Sequence, residues 1–354
     1  MKPCRLCPFL AAFLAAAGSG PASAQSSVSL YGLLDTGVTY TNNVASGDRS
    51  GAAVQLQSGV AVPERWGMLG REDLGNDAFV TFRLESGFQT SDGRNLVAGT
   101  AFGQQAYVGV GGPWGTVTLG RQYDLVGDVM PAYAIGANTP AGLFGWSLPA
   151  NAAGGYVLDN RVWGLQVDNA VKYVTPVVGG FSGGAMYGLG NVPGSVAKRS
   201  SSSFVMTYDN SAFSASLGYF GQKDIAAGGN IHDIVGGMAY ALGALRVFGL
   251  ASTVWQTTDG SPRANTYELG ATYQFDSALQ VGGGFQYQKR NGGVGSANQV
   301  TCAVDYFLSK RTDVYAVATL AHDHGFGAQA EAGLGANSST SAQSAVRIGI
   351  KHAF

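Results

Sequence analysis

From Val28 to the last residue, apolar and polar positions alternate with period two in segments separated by turn signals, the pattern of strands with two unlike faces. In the first segment Val28, Leu30, Gly32, Leu34 and Val38 share one face, and Ser29, Tyr31, Asp35 and Thr39 share the other. Residues 42–58 are polar and Gly-containing and read as a loop. Next, Trp66 and Met68 alternate with Arg65, Gly67, Leu69 and Arg71, and Ala78, Val80, Phe82 and Leu84 with Thr81, Arg83 and Glu85. Ala106, Val108 and Val110 begin the next pair, which turns at Gly111-Gly112-Pro113 into a strand over 116–122. Further strands are predicted over 163–174, 181–189, 203–209, 213–222, 233–242, 244–257, 264–275, 278–289, 299–308, 312–321 and 344–354. Short turns such as Asn210-Ser211 and Lys310-Arg311 alternate with longer polar or Gly-rich loops.

One stretch breaks this rhythm. Residues 123–161 show no strand or helix period, and between Val129 and Leu158 there is no charged residue, while Pro131, Pro140 and Pro149 oppose a helix. A structureless loop of that length is rare in a compact fold and is usually functional. The expectation is that it folds into the lumen of a barrel and narrows it.

The count comes to about sixteen strands, even and within the range of outer-membrane barrels, and the short-long loop alternation is the habit of that class. The last strand is the sharpest local signal: Ser344, Val346, Ile348, Ile350, His352 and Phe354 fall on one face, and Arg347, Gly349, Lys351 and Ala353 on the other. An apolar stripe ending in a free terminal aromatic is a liability at an open sheet edge, whereas in a barrel it pairs with the first strand and meets lipid. The fold class is therefore all-β, a transmembrane antiparallel β-barrel with a long third loop in its lumen. A soluble β-sandwich, the other home of alternating strands, needs fewer of them.

Composition sharpens this picture. Of 354 residues, 12% are charged, with 54 Gly, 16 Tyr and 17 Phe, and mean hydropathy is +0.08. Two faces, one greasy and one wet, average to such values. At the N-terminus, Lys2 and Arg5 precede an apolar run over 6–17 and an Ala22-Ser23-Ala24 site, which reads as a signal peptide over 1–24 with a single barrel domain over 25–354. The apolar run is shorter than the roughly 18 residues of a spanning helix. Cys4 and Cys7 leave with the signal, so Cys302 remains alone and no internal disulfide is expected. Losing Lys2 and Arg5 takes the net charge from −1 to −3, which gives no surface for nucleic acid.

Several motifs carry a resemblance. They are Ser27-Val28-Ser29-Leu30-Tyr31-Gly32 with Asp35, Arg65-Trp66-Gly67, Glu72-Asp73-Leu74-Gly75, and Leu84-Glu85-Ser86-Gly87-Phe88. Phe102-Gly103-Gln104-Gln105-Ala106-Tyr107-Val108-Gly109, Thr118-Leu119-Gly120-Arg121-Gln122-Tyr123, Asp168-Asn169 with Tyr173, Tyr306 with Leu308-Ser309-Lys310-Arg311-Thr312, and the terminal Phe354 continue them. Together they resemble the general porins of Gram-negative outer membranes, especially the betaproteobacterial type. The resemblance implies a homotrimer of sixteen-stranded barrels, a third extracellular loop that constricts each channel, and a terminal Phe354 read by the barrel-assembly machinery. It also implies an outer-membrane location among lipid and lipopolysaccharide, with small hydrophilic solutes as cargo. Gln104 and Gln166 stand where many relatives carry arginine, and Leu69 and Arg71 are exchanged relative to the usual order.

A pore discriminates ions by the charges at its narrowest part. The alternation turns Arg65, Arg71 and Arg83 into the lumen, with Lys172; Arg121 joins them only if its strand breaks at Gly120. Opposing carboxylates are Asp124, Asp128 and Asp159 at the ends of the loop, with Asp35, Glu85 and Asp168 on the wall. A neutral loop centre predicts weak selectivity with a tilt toward anions. The arginines have a second reading as wall salt bridges to Glu85 and Glu72.

Other motifs carry less. His322-Asp323-His324 has no third ligand nearby, and no metal or cofactor is expected. Cys302 shares parity with Val300 and Val304 and reads as a small lipid-facing residue, and none of the histidines sits in a hydrolase motif, so no enzyme is expected. Two alternatives to passive diffusion stand open. One is a channel selective for a sugar or organic acid, with Tyr133, Phe144, Trp146 and Tyr156 as a stacking surface; the other is a soluble secreted β-sandwich binding module.

Overall fold

The computed structural model describes residues 26–142 and 164–354, apart from 47, 226–227, 259, 326–329 and 331–337, and the backbone of 152–153 and 156–157. The signal segment expected over 1–24 lies outside the described residues.

The strands are β1 (Ser27–Ser46), β2 (Arg49–Ser58, resuming as Arg65–Gly75), β3 (Ala78–Gly87), β4 (Gln105–Gly112), β5 (Gly115–Tyr123) and β6 (Gln166–Val174). They continue with β7 (Phe181–Gly188), β8 (Ser201–Asp209), β9 (Phe213–Gln222), β10 (Ile231–Leu242) and β11 (Leu245–Gln256). The last five are β12 (Arg263–Gln274), β13 (Leu279–Arg290), β14 (Gly295–Ser309), β15 (Thr312–His324) and β16 (Ala342–Ala353). Each pairs antiparallel with its neighbours in sequence, and β1 also pairs with β16, from Leu33 opposite Ala353 to Thr41 opposite Ala345. Both halves of β2 pair with successive stretches of β1, so they form one stave. The result is a closed sixteen-stranded antiparallel barrel with no unpaired edge, the condition for strands to cross a bilayer.

The two faces follow the sequence alternation. Val28, Leu30, Met238 and Ile348 are each more than 60% exposed on the outside, whereas Asp35, Asp233 and Arg347 on the inside are wholly buried. Cys302 is exposed beside Val300 and Val304 on the outer face. At the short-turn rim, Tyr208 lies 4.7 Å from Phe181 and 6.4 Å from Phe213 between ring centroids, and Tyr273 lies 4.8 Å from Phe275. This is an aromatic girdle of the kind found at a membrane boundary. The β2–β3 turn explains why that rim is tight: Asn76 and Asp77 both take positive φ, 52° and 61°, as a two-residue hairpin requires.

Two expectations are corrected. Residues 42–58 are not a loop, because β1 runs to Ser46 and β2 starts at Arg49. Similarly β14 starts at Gly295, β15 runs to His324 and β10 starts at Ile231, all beyond the predicted ends. Lipid-facing apolar residues stop at the membrane boundary, but ladder hydrogen bonds do not, so alternation understates strands that project above the bilayer. The stretch 123–161 is also not structureless at its start. Beyond Tyr123, the last residue of β5, it forms α1 (Leu125–Val129), a 3-10 turn (Met130–Tyr133) and α2 (Ile135–Asn138). Asp124 caps α1, accepting from Val126 and Gly127, and Pro131 occupies a first-turn position, where its missing N–H costs nothing.

Candidate functional site: the pore constriction

The loop after β5 enters the lumen and follows the inner wall. Its side chains lie over wall glycines: a Cβ on Gly184 would come within 2.9 Å of Leu125, and one on Gly218 within 3.0 Å of Met130. On Gly270 and Gly284 it would come within 3.0 and 2.6 Å of Ile135, and Gly237 lies directly under the Tyr133 ring. The track therefore runs from β7 to β13, with glycine where the inward alternation calls for side chains. Polar contacts fix it. The Tyr133 hydroxyl lies 2.7 Å from Ser216 Oγ, the Ile135 amide donates to the buried Glu268 carboxylate, and Arg246 donates to Asn138 and, at 2.9 Å, to the Ala132 carbonyl.

Past α2 the loop reaches a second inward element. Residues 59–64, the break between the halves of β2, turn into the lumen, and a Cβ on Gly142 would meet the backbone of Val60 and Ala61. Asp35 holds this strut, accepting from the Ala61 amide at 2.6 Å and from Val62 at 3.3 Å. Glu64 anchors its end, accepting from the Thr90 amide and hydroxyl at 2.6 and 2.7 Å. Asp35 is itself held by the Tyr315 hydroxyl at 2.5 Å and by Arg347, whose Nη2 lies 3.7 Å away.

Across the lumen from the helices stands the basic wall. Arg65 and Arg83 lie on β2 and β3, and their register places Arg65, Glu85 and Arg83 on one face. Arg65 Nε is 3.8 Å from Glu85, which also accepts from the Tyr31 hydroxyl at 2.7 Å. The Arg83 guanidinium stands 5.5 Å above the Tyr31 ring and forms no ion pair among the described residues. Arg71, lower on β2, stacks 3.5 Å over Phe79. A gap of about 420 Å³ separates the wall from the loop, bounded by Arg65 and Gln104 on one side and Gly127 and Pro131 on the other. Gln104 Oε1 accepts from Tyr123 Oη and from Gln166 Nε2, both at 2.6 Å, so two glutamines and a tyrosine form a neutral bracket.

The remaining residues of the expected site sort differently. Lys172 faces inward but is spent on Asp128 at 2.7 Å and on the Tyr123 carbonyl at 2.9 Å. Asp124 is buried as the α1 cap and also accepts from the Leu165 amide at 2.6 Å. Arg121 and Asp168 are corrected: they pair with each other at 2.5 Å, and Arg121 sits opposite Ala106 on the face of Leu119 and Val108, the outer one. A bulge opposite Arg121, where Asp168 and Asn169 face one residue, carries Asp168 out of the lumen. Asp35 is locked under the strut instead of opposing the arginines. Asp159, Phe144 and Trp146, and the Tyr156 side chain, lie outside the described residues, and Tyr133 is buried against the wall with no face to offer a solute. Sequence reading missed the 59–64 strut and the glycine track. The track had a signal, since inward positions of a wet lumen rarely need glycine.

The family model described as Gram-negative porin matches residues 11–325. The chain belongs to the Gram-negative porin family. This porin is 32% identical to outer membrane porin protein 32 of Delftia acidovorans, over 98% of this chain and 99% of that one. It is 29% identical to an outer membrane porin protein of Bordetella pertussis, over 98% and 99%. Its fold superposes on an anion-selective porin from Comamonas acidovorans with a TM-score of 0.81 at 28% identity, covering 93% of this chain and all of the other. The trimer form of OmpT from Vibrio cholerae gives 0.68 at 16% identity, a likeness of fold alone. The porin is thus an outer-membrane barrel for passive diffusion, and its family and fold are those of a channel.

Proposed function

We propose that this porin is a general diffusion channel with a weak tilt toward anions, set by Arg65, Arg71 and Arg83 on the β2–β3 wall. One observation carries the sign. Arg83 and Arg71 have aromatic but no carboxylate partners among the described residues, while Asp124 and Asp128, the described carboxylates of the loop, are engaged by backbone amides and by Lys172. Unpaired cations on the wall of a narrowed lumen attract counter-ions, most strongly where water is scarce. The similarity to a porin described as anion-selective supports the same sign here. Gln104, Gln166 and Tyr123 line the gap with neutral groups, which keeps the tilt small.

The reading includes a homotrimer and insertion by the barrel-assembly machinery acting on Phe354, both following from the membership of the porin family. No catalytic step and no cofactor enter it. Reversal potentials in planar bilayers under a potassium chloride gradient test it. An anion preference of a few-fold is expected, and a cation preference would overturn the assignment.

A further inference from the structure

A second cleft lies in the lumen, nearer the long-loop rim, where the ends of β6, β7, β8 and β9 meet. It holds about 440 Å³, within the roughly 300–1,000 Å³ of small-molecule sites. Gly188, the last residue of β7, makes room for it: a Cβ there would come within 2.4 Å of Val167. The floor is apolar, with Val167, Phe220 and Ile225 all buried. The sides are polar, with Gln166 on β6 and Ser201 directly opposite Gln222 on β8 and β9. Gln166 also bounds the gap at the constriction, so the cleft opens onto the path that a solute takes to it.

Two opposite charges stand at its mouth. The Lys223 amide donates to the Ser200 carbonyl at 2.9 Å and the Arg199 amide to Asp224 Oδ2 at 3.0 Å, which carries the β8–β9 pairing past its ladder and sets Arg199 beside Asp224. Arg199 takes a positive φ of 57°, a conformation that a long side chain rarely adopts and that is found most often at functional sites. Yet the Arg199 guanidinium and the Asp224 carboxylate pair neither with each other nor with any other charged side chain among the described residues. Asp224 Oδ1 is likewise left to accept from something else. A simple anion would meet the Asp224 carboxylate and a simple cation the Arg199 guanidinium. A sugar would find no ring to stack on, since Phe220 is wholly buried. A molecule that carries both charges satisfies both groups. We propose that the cleft captures a small zwitterion, an aliphatic α-amino acid, with its carboxylate on Arg199, its ammonium on Asp224 and its side chain over Val167 and Ile225. Both charged groups are exposed to solvent, so the hold is weak, as a site on a conduction path requires.

Initial rates of radiolabelled L-leucine entry into liposomes carrying the purified porin test this. Entry is expected to saturate at millimolar leucine. N-acetyl-L-leucine, which keeps only the carboxylate, and L-leucinamide, which keeps only the ammonium, should each compete at least fivefold more weakly than unlabelled leucine. Arg199→Gln and Asp224→Asn should each raise the half-saturating concentration at least fivefold, and Asp224→Asn keeps an oxygen for the Arg199 amide, so the turn stands while the charge is lost. Lys223→Gln, beside the cleft but outside its lining, should saturate as wild type does. Entry that rises linearly with leucine would overturn the assignment, as would unchanged saturation in both Arg199→Gln and Asp224→Asn. Equal competition by N-acetyl-L-leucine would make the cleft a plain anion site, and equal competition by L-leucinamide a cation site; either would also overturn it. The ion preference at the constriction is read separately from reversal potentials, so linear entry with that preference intact would strike the cleft alone.

Discussion

Phe354 and Gly32 exchange both backbone hydrogen bonds, 3.1 Å from the Gly32 amide and 3.0 Å from the Phe354 amide, and the phenyl ring fills the space a Gly32 side chain would take. The last residue of the chain thus extends the seam that closes the barrel one pair beyond the β1–β16 ladder.

This separates two roles of the terminus. Phe354→Ala keeps the backbone pair, whereas deleting residue 354 removes two hydrogen bonds worth about 1 kcal/mol each. Refolded Phe354→Ala should therefore resist heating on unboiled gels nearly as well as wild type, and the deletion should melt earlier. If the aromatic ring is also an assembly signal, both should lower the outer-membrane yield in cells. Full yield of Phe354→Ala would leave the residue a purely structural role.

Selectivity should respond to Arg83 and not to Arg121. Arg83 faces the lumen without a carboxylate partner, while Arg121 is outside and bound to Asp168. Arg83→Gln should move the reversal potential toward cations, with a larger shift for Arg65→Gln/Arg83→Gln together, and Arg121→Gln should leave it where it was. Equal shifts for Arg83 and Arg121 would mean that the wall faces are reversed at β5.

The barrel itself was legible because a membrane leaves the outer face no choice but apolar residues, and the alternation recurs from strand to strand along the chain. Strand ends were not legible, because beyond the bilayer that selection ends while pairing continues, as at residues 42–58. The site was legible only in part. Arg65, Arg71, Arg83 and Lys172 face inward as their parity requires. Arg121 lies on the outer face that its parity with Leu119 gives when the strand does not break at Gly120. Asp168 escaped because a bulge is set by opposing strands and has no local spelling, and Asp128 was read as a loop charge because its partner Lys172 lies far along the chain. Glycine beneath Leu125, Met130, Tyr133 and Ile135 records a packing relation between loop and wall that only the folded barrel makes visible.

That track gives a third prediction. Gly237→Leu would drive a side chain into the Tyr133 ring, and Arg246→Ala would remove the clamp on Asn138 and Ala132. Both should loosen the loop from the wall without unfolding the barrel. Single-channel records should show flickering and a lower voltage for closure, while Gly51→Ala, with open space around it and outside the track, should behave as wild type in both respects. Steady currents in Gly237→Leu would show that the loop tolerates a lifted ring.

The strut over 59–64 should be the most sensitive element, because its anchor is a charge pair with no access to water. Asp35 and Arg347 are both wholly buried, and Arg347 also donates to Tyr315 at 2.8 Å, to Thr39 at 3.1 Å and to the Gln57 carbonyl at 3.0 Å. Removing one partner of such a pair leaves an uncompensated buried charge and costs about 3–5 kcal/mol. Arg347→Met alone should lower stability by that order, whereas Asp35→Asn with Arg347→Met should recover much of it, since no lone charge remains. Asp35→Asn keeps an oxygen to accept from the Ala61 amide but weakens it, so the double variant should fold yet hold residues 60–61 less firmly. Because the loop rests on Val60 and Ala61 through Gly142, its conductance should become noisier even where its stability is restored. Urea unfolding in detergent and single-channel recording read the two effects separately. Additive losses in the double variant would show that Asp35 and Arg347 act independently and that the strut is held by something else.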